Sequence, residues 1–138
     1  MTRETTEALI RRYYDCFNAG DVEGMLALLA DDVVHDISQG GREIGRAAFR
    51  AFLGHMNGAY RERAHAPAVM VNGDGSRAAA EVQLDGTYIA TDGSLPKATG
   101  QSYVLTVGAF FEVRDGHIAR VSNHYNMKDW LRQVERSA

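Results

Sequence analysis

The N-terminal part of the chain places most of its apolar side chains at helical spacing. Apolar positions between Leu9 and Phe17 recur every three or four residues, which predicts an amphipathic helix over about residues 5–18. Asn18-Ala19-Gly20 should end this helix. Asp21 is placed to cap a short second helix, because its carboxylate can accept from the free amides of the first turn. A third helix begins near Gly45, and its apolar face is the clearest in the chain: Phe49, Phe52, Leu53, Met56 and Tyr60.

The pattern changes to alternation in the second half of the chain. A short strand is predicted at Val33–Ile37, and from Ala64 onward alternating apolar and polar residues predict further strands. The quartet Asn72-Gly73-Asp74-Gly75 is typical of a hairpin turn, because Gly and Asn tolerate the positive φ that such turns require. Later strands are expected over about 77–90, 101–113 and 117–126, followed by a short closing helix around Trp130.

This order of elements and the composition both describe a globular protein. Helices followed by consecutive hairpins predict one α+β domain over residues 1–138, with the helices on one face of an antiparallel sheet. A net charge of −3 argues against nucleic-acid and anionic-membrane partners, which favour basic surfaces. No apolar stretch approaches the roughly 20 residues of a membrane span, and the first residues lack the apolar core of a signal peptide. The lone Cys16 fits a reducing compartment, so the sequence predicts a soluble cytoplasmic protein.

Several segments together resemble a known family. They are the tyrosine-bearing helix and Gly-Asp turn of residues 13–21, the strand entry Ala30-Asp31-Asp32-Val33-Val34, and the segment from Gly86-Thr87-Tyr88 to Gly116-His117-Ile118. In that order they resemble nuclear transport factor 2, ketosteroid isomerase and the SnoaL-type polyketide cyclases. The resemblance implies a cone-shaped α+β fold, in which three N-terminal helices pack on a strongly curved antiparallel sheet and enclose an apolar pocket. It also implies a homodimer formed through the outer face of the sheet.

The residues that ketosteroid isomerase requires are an Asp base and an oxyanion hole made by a Tyr and a protonated Asp. The resemblance puts Tyr13 at the place of that tyrosine. Ile37 takes the place of the base, with Asp36 one residue earlier, and Ala109 takes the place of the protonated Asp. A displacement of one residue along a strand turns a side chain to the other face. The sequence therefore argues against steroid isomerisation.

The SnoaL-type cyclases carry their base on the final strand, where this chain has Asn123. An amide cannot accept a proton at neutral pH, although it can hydrogen-bond a carbonyl or enol. His35 is the remaining candidate for a base. If Val33, His35 and Ile37 share the inward face, the imidazole projects into the pocket with a pKa suited to proton transfer. Tyr13 and Asn123 would then hold the developing oxyanion.

Two alternatives stay open for His35. The imidazole can instead be a core side chain that only satisfies another polar group, and a β-bulge near Ile37 would exchange the faces of His35 and Asp36. Burial disfavours the imidazolium ion, so an inward His35 should have a pKa below the usual value of about 6.5.

Aromatic residues on the predicted inner faces supply the walls of the expected pocket. Such side chains combine apolar surface with a polar tip in tyrosine and tryptophan. The residues expected to contact a ligand are Phe17, Phe49, Phe52, Tyr103, Tyr125 and Trp130. The histidines have no neighbours in sequence that would complete a metal site, and no Gly-rich phosphate loop follows a strand, so neither metal nor cofactor is expected.

Two functions are consistent with these residues. The first is a cofactor-independent isomerase or cyclase, with a dehydratase as a close variant, that transfers a proton next to the carbonyl group of a small apolar, cyclic or polyketide-like compound. The second is a non-catalytic ligand-binding or dimeric interaction module. Loss of both acidic groups from the family's base positions favours the second function, because a degenerate site keeps its cavity while losing its base.

Overall fold

A computed structural model of the chain describes residues 1–136. Within these residues there are four helices, two of which precede the first strand. They are α1 (Arg3–Ala19), α2 (Val22–Ala27), α3 (Arg46–Ala59) and α4 (Met127–Arg136). The six strands are β1 (Leu29–Asp36), β2 (Arg42–Ile44), β3 (Tyr60–Val71), β4 (Arg77–Tyr88), β5 (Ser102–Arg114) and β6 (His117–His124).

The helix boundaries follow from local capping. Thr2 and Thr5 form a capping box at the start of α1, in which the side chain of each residue accepts from the backbone amide of the other. The helix ends at Gly20, whose φ of 69° lies in the left-handed region that glycine adopts without steric cost. The Asp21 carboxylate then accepts from the amide of Gly24 at 2.9 Å, as the sequence predicts for the cap of α2.

The predicted fold class is confirmed: helices pack on a curved, unclosed sheet of six strands. The strand order is β2-β1-β6-β5-β4-β3. The antiparallel pairing expected of the sheet is absent at one pair, because β1 and β6 run parallel. A hairpin turn imposes antiparallel pairing only on the two strands that it joins. β1 and β6 are separated by most of the chain, so no turn determines their direction.

Three strands also differ from the sequence prediction: β1 begins at Leu29 and not at Val33, β3 begins at Tyr60, and β2 is additional. Tyr60 was expected on the apolar face of the third helix, but its extended backbone begins β3. Its ring stacks on that of Tyr88, the residue opposite it on β4, with the ring centroids 5.4 Å apart. The short strand β2 has no predicted counterpart, because its three residues are all exposed and carry no alternation of apolar and polar positions.

Alternation along the long strands separates an inner from an outer face. On β5 every second residue from Tyr103 to Val113 is buried, and these residues face the helices. On the outer face, Glu81 and Gln83 of β4 are exposed, as expected. None of the helices in residues 1–136 has the length and apolar character needed to cross a bilayer.

Candidate functional site

The inner face of the sheet and the helices surround a cavity of about 420 Å³. Its wall includes Tyr13 and Phe17 from α1, Phe49 and Phe52 from α3, and Trp130 from α4. Inward residues of β1, β3, β4, β5 and β6 complete it. A volume of this size lies in the range of small-molecule sites, which is about 300–1,000 Å³.

His35 projects from β1 into this wall and is 2% exposed. Its ring lies between two phenylalanines of α3, with centroids 4.5 Å from Phe49 and 4.6 Å from Phe52. The Nδ1 atom is buried and has no hydrogen-bond partner among residues 1–136. Burial lowers the pKa of the imidazole below its ordinary value of 6.5, and the charges of Glu43 and Asp36 offset this only in part.

Asp36 lies on the opposite face of the same strand. Its carboxylate accepts from Arg42 of β2 at 2.6 Å and from Arg120 of β6 at 2.9 Å. The hydrogen bond from Arg42, followed by that from Arg120, lowers the pKa of Asp36 to about 2. His35 lines the cavity and Asp36 does not, so the end of β1 presents these two residues to opposite faces. Asp36 is therefore a structural group outside the cavity that is charged at neutral pH.

The other two residues expected to act in catalysis also line the cavity. The buried ring of Tyr13 packs edge-on against Tyr14 at 5.3 Å and against Phe111 at 5.5 Å. Burial, with a smaller contribution from Tyr14, raises the pKa of Tyr13, so its hydroxyl stays protonated and can donate. Asn123 is half-buried on β6, opposite Ala109 of β5. The structure brings these residues into one cavity wall with His35.

Five of the six residues expected to contact a ligand lie in the cavity wall, and one does not. The five are Phe17, Phe49, Phe52, Tyr125 and Trp130. Tyr103 is the one that does not line the cavity. Its hydroxyl instead donates to Glu62 Oε2 at 2.5 Å, and it is Glu62 that faces the cavity.

Glu62 is a cavity residue that the sequence reading missed. Burial raises the pKa of its carboxyl group, and the hydrogen bond from Tyr103 lowers it by less. The one signal in the sequence was parity, since Glu62 alternates with the buried Tyr60 and Ala64 on β3. A charged residue between two arginines, Arg61 and Arg63, nevertheless has the pattern of a solvated strand.

A second missed carboxylate belongs to Asp92, in the loop after β4. Its oxygens accept from the Tyr60 hydroxyl at 2.7 Å and lie 2.8 Å from His55 Nε2. Its backbone amide donates to the Tyr88 hydroxyl at 2.9 Å, and that hydroxyl donates to the carbonyl of Pro96. These bonds hold the loop against the cavity, whose wall includes Asp92. Nothing periodic in the loop sequence indicates this position.

The described residues contain no cluster of three or more His, Cys, Asp or Glu side chains that could hold a metal ion. No Lys or Arg side chain of residues 1–136 lines the cavity. The polar side chains that line it include tyrosines, amides, two histidines, Ser38 and the carboxyl groups of Glu62 and Asp92.

Comparison with known proteins agrees with the resemblance inferred from the sequence. The family model of the SnoaL-like domain matches residues 10–121. A Xanthomonas campestris protein of known structure, provisionally described as a polyketide cyclase, is 52% identical, with 96% of this chain and 98% of that one covered and a TM-score of 0.94. A Pseudomonas putida protein with the same provisional description is 55% identical, with coverage of 97% and 98% and a TM-score of 0.92.

A more distant structure carries a different provisional description. A Kribbella flavida protein described as a ketosteroid isomerase is 31% identical, with 91% of this chain and 82% of that one covered and a TM-score of 0.65. No protein of curated function matches the chain. The family resemblance predicted from the sequence is confirmed.

Proposed function

The chain belongs to the SnoaL-like domain family, and from that premise we propose that it is a cofactor-independent enzyme acting on a small cyclic or polyketide-like carbonyl compound. Its chemistry would be proton transfer next to the carbonyl group, leading to isomerisation or aldol cyclisation, with dehydration as a close variant. The descriptions of the similar structures support a cyclase or isomerase role in general. The observation that carries the more specific proposal is the buried imidazole of His35 in the cavity wall.

His35 has the properties of a general base. Its lowered pKa keeps the imidazole neutral at pH 7, so a ring nitrogen can accept a proton. Its Nδ1 is left without a partner among residues 1–136, at a cost of about 1–3 kcal/mol for a buried polar atom. A histidine with only a structural role would be expected to use both nitrogens, and a catalytic role is one of the explanations for a buried polar group without a partner.

The proposed step moves one proton and one electron pair. A proton passes from the carbon next to the substrate carbonyl to His35, and the electron pair of the broken C–H bond moves to the carbonyl oxygen. Tyr13 and Asn123 donate hydrogen bonds to that oxygen, and preorganised donors of this kind contribute several kcal/mol in other enzymes. The enolate then takes the proton back from His35 at another carbon, or attacks a second carbonyl carbon and closes a ring, and the alkoxide formed there takes the proton from His35.

The cavity favours an uncharged, ring-sized substrate. Its walls are largely aromatic and aliphatic, and no Lys or Arg of the described residues is present to neutralise a substrate carboxylate or phosphate. A compact carbonyl compound satisfies both conditions.

Hydrogen exchange at the carbon next to a carbonyl measures the proposed step directly and needs no knowledge of the product. We expect the wild-type protein to accelerate deuterium incorporation at C2 of 1-tetralone in D2O, followed by NMR. His35→Gln should lower the acceleration by about a hundredfold or more, which is the usual contribution of a general base. His124→Gln, whose ring lies on the outer face against Phe110, should exchange like the wild type. Unchanged exchange in His35→Gln would remove the mechanism.

The ligand-binding module remains the second candidate, and one observation favours it. Ile37 and Asn123 line the cavity at the places where the resembled enzymes carry a carboxylate base. If wild-type protein binds 1-tetralone without accelerating its exchange, the cavity serves binding alone.

A further inference from the structure

The cavity has a second polar wall, towards the other edge of the sheet from His35. His35 belongs to β1 and Glu62 to β3, and three strands, β6, β5 and β4, lie between them in the sheet. Both residues line the same cavity because the sheet is curved. The proposed chemistry at His35 makes no use of Glu62, whose carboxyl group is half-buried and is bound by Tyr103 at one oxygen.

Glu62 is held by a contact that depends on a glycine. Glu62, Gly86 and Tyr103 lie in one row across β3, β4 and β5, with Gly86 paired to both. A Cβ atom at Gly86 would lie 2.2 Å from Cζ and 2.4 Å from the hydroxyl oxygen of Tyr103. The tyrosine ring therefore lies across the backbone of Gly86, and its hydroxyl reaches Glu62 Oε2 at 2.5 Å.

This arrangement leaves one carboxyl oxygen available. Tyr103 engages Oε2, while Oε1 has no hydrogen-bond partner among residues 1–136. The surrounding titratable groups are Tyr60 and Tyr125, which interact electrostatically with Tyr103, and Asp92, whose oxygens already accept from Tyr60 and lie 2.8 Å from His55 Nε2. No cation of the described residues faces Glu62. A ligand group is thus the natural partner for its second oxygen.

We propose that Glu62 and Tyr103 form a second subsite, which binds a hydroxyl group of the ligand remote from its carbonyl. A hydroxyl group can donate to a carboxylate and can also accept from a neutral carboxylic acid, so it suits Glu62 in either protonation state. A carbonyl oxygen can only accept, and an ammonium group can only donate. The Trp130 ring packs edge-on against Tyr103 with the centroids 6.0 Å apart, and Tyr60 and Tyr125 line the same cavity, which favours a planar ring carrying that hydroxyl. The substrate class becomes a cyclic hydroxy-ketone or a phenolic ketone.

This inference rests on the proposed function only in placing the carbonyl group near His35. It is tested by binding rather than by turnover, so that the two can fail separately. The probes are 1-tetralone and 6-hydroxy-1-tetralone, which differ in one hydroxyl group at the end remote from the carbonyl. Trp130 is the chain's sole tryptophan and lines the cavity, so its indole N–H resonance reports binding of both probes.

The wild-type protein should bind 6-hydroxy-1-tetralone at least about tenfold more tightly than 1-tetralone, as expected for one hydrogen bond to a carboxyl group. Glu62→Leu should abolish this preference, and Tyr103→Phe should reduce it. Glu62→Gln keeps the shape and a hydrogen-bonding group, and it should retain part of the preference. It replaces the leucine variant in the test if that variant fails to fold. Glu81→Leu, which removes an exposed glutamate of β4, should leave the preference unchanged.

His35→Gln should also keep the preference for the hydroxylated probe, even though it loses hydrogen exchange. Equal affinity of the wild type for the two probes overturns the subsite. So does failure of the hydroxylated probe to bind, or a preference that survives in Glu62→Leu.

Discussion

At the scale of the residue, His35 and Asp36 are neighbours in sequence with opposite electrostatic environments. His35 is buried against Phe49 and Phe52, where the neutral imidazole is favoured. Asp36 is held by Arg42 and Arg120 on the other face of the strand, where the charged carboxylate is favoured. The alternation of a single strand separates a candidate base from a structural ion pair.

The lowered pKa of His35 predicts a defined dependence of stability on pH. Above about pH 6.5 the imidazole is neutral in both the folded and the unfolded chain. As pH falls below that value, the unfolded chain takes up the proton first, so the free energy of unfolding decreases until the lower folded pKa is reached. The loss amounts to at most about 1.4 kcal/mol for each pH unit in that window.

Urea denaturation between pH 8 and pH 5 measures this effect. His35→Gln should show a shallower decrease in the free energy of unfolding below pH 6.5 than the wild type. His117→Gln, which removes an exposed histidine, should follow the wild-type curve. Parallel curves for the wild type and His35→Gln would show that His35 titrates in the folded protein as it does in the unfolded chain.

At the scale of the element, the packing of β4 against β5 depends on the position of the Tyr103 ring. Gly86 on β4 is buried, and any side chain there would overlap this ring. The Gly-Thr-Tyr segment that helped to identify the family therefore has a packing reason for its glycine. Gly108 on β5 provides a comparison, because a Cβ atom there would meet nothing within 4 Å.

Alanine substitutions at these two glycines should differ in their effect. Gly86→Ala should destabilise the protein by about 1–3 kcal/mol, because the methyl group forces the Tyr103 ring to move in a packed region. Gly108→Ala should change the free energy of unfolding by no more than about 0.5 kcal/mol. Denaturation midpoints of the two variants provide the measurement. Similar midpoints would mean that the ring has room to move and that the close approach at Gly86 is not a constraint.

At the scale of the whole molecule, the outer face of the sheet carries exposed apolar side chains. Met70 of β3 and Phe110 of β5 lie in one row across the sheet, together with the half-buried Ala79 of β4 and the buried Ser122 of β6. Phe110 is 53% exposed and Met70 is 56% exposed, although both belong to long, regular strands. Burial of such side chains is the usual driving force for association between copies of a chain.

We predict that the protein is a homodimer in solution and that this row lies in its interface. Phe110→Glu should convert the dimer to a monomer, because a carboxylate would be buried without a partner. Ile44→Glu replaces an equally exposed apolar residue on the short edge strand β2 and should leave the dimer intact. Light scattering at micromolar concentration distinguishes these outcomes. A monomer mass for the wild-type protein would contradict the prediction.

The sequence by itself determined the features that depend on neighbouring residues. The helices, their caps at Asp21 and Gly20, the hairpin at residues 72–75 and the inward parity of His35 follow from spacing and turn chemistry over a few positions. Motif order then identified the family. These features were accessible because helix and strand periodicity act over fewer than about ten residues.

Only the tertiary structure decided which distant residues meet. Three contacts join positions far apart in the chain. They are the parallel pairing of β1 with β6, the hydrogen bond from Tyr103 to Glu62 across Gly86, and the hydrogen bond from Tyr60 to Asp92. No local pattern specifies such pairings, because they depend on how every element packs at once. The position of Tyr60 shows the same limit, since helical spacing favoured a helix while stacking on Tyr88 held the residue in a strand.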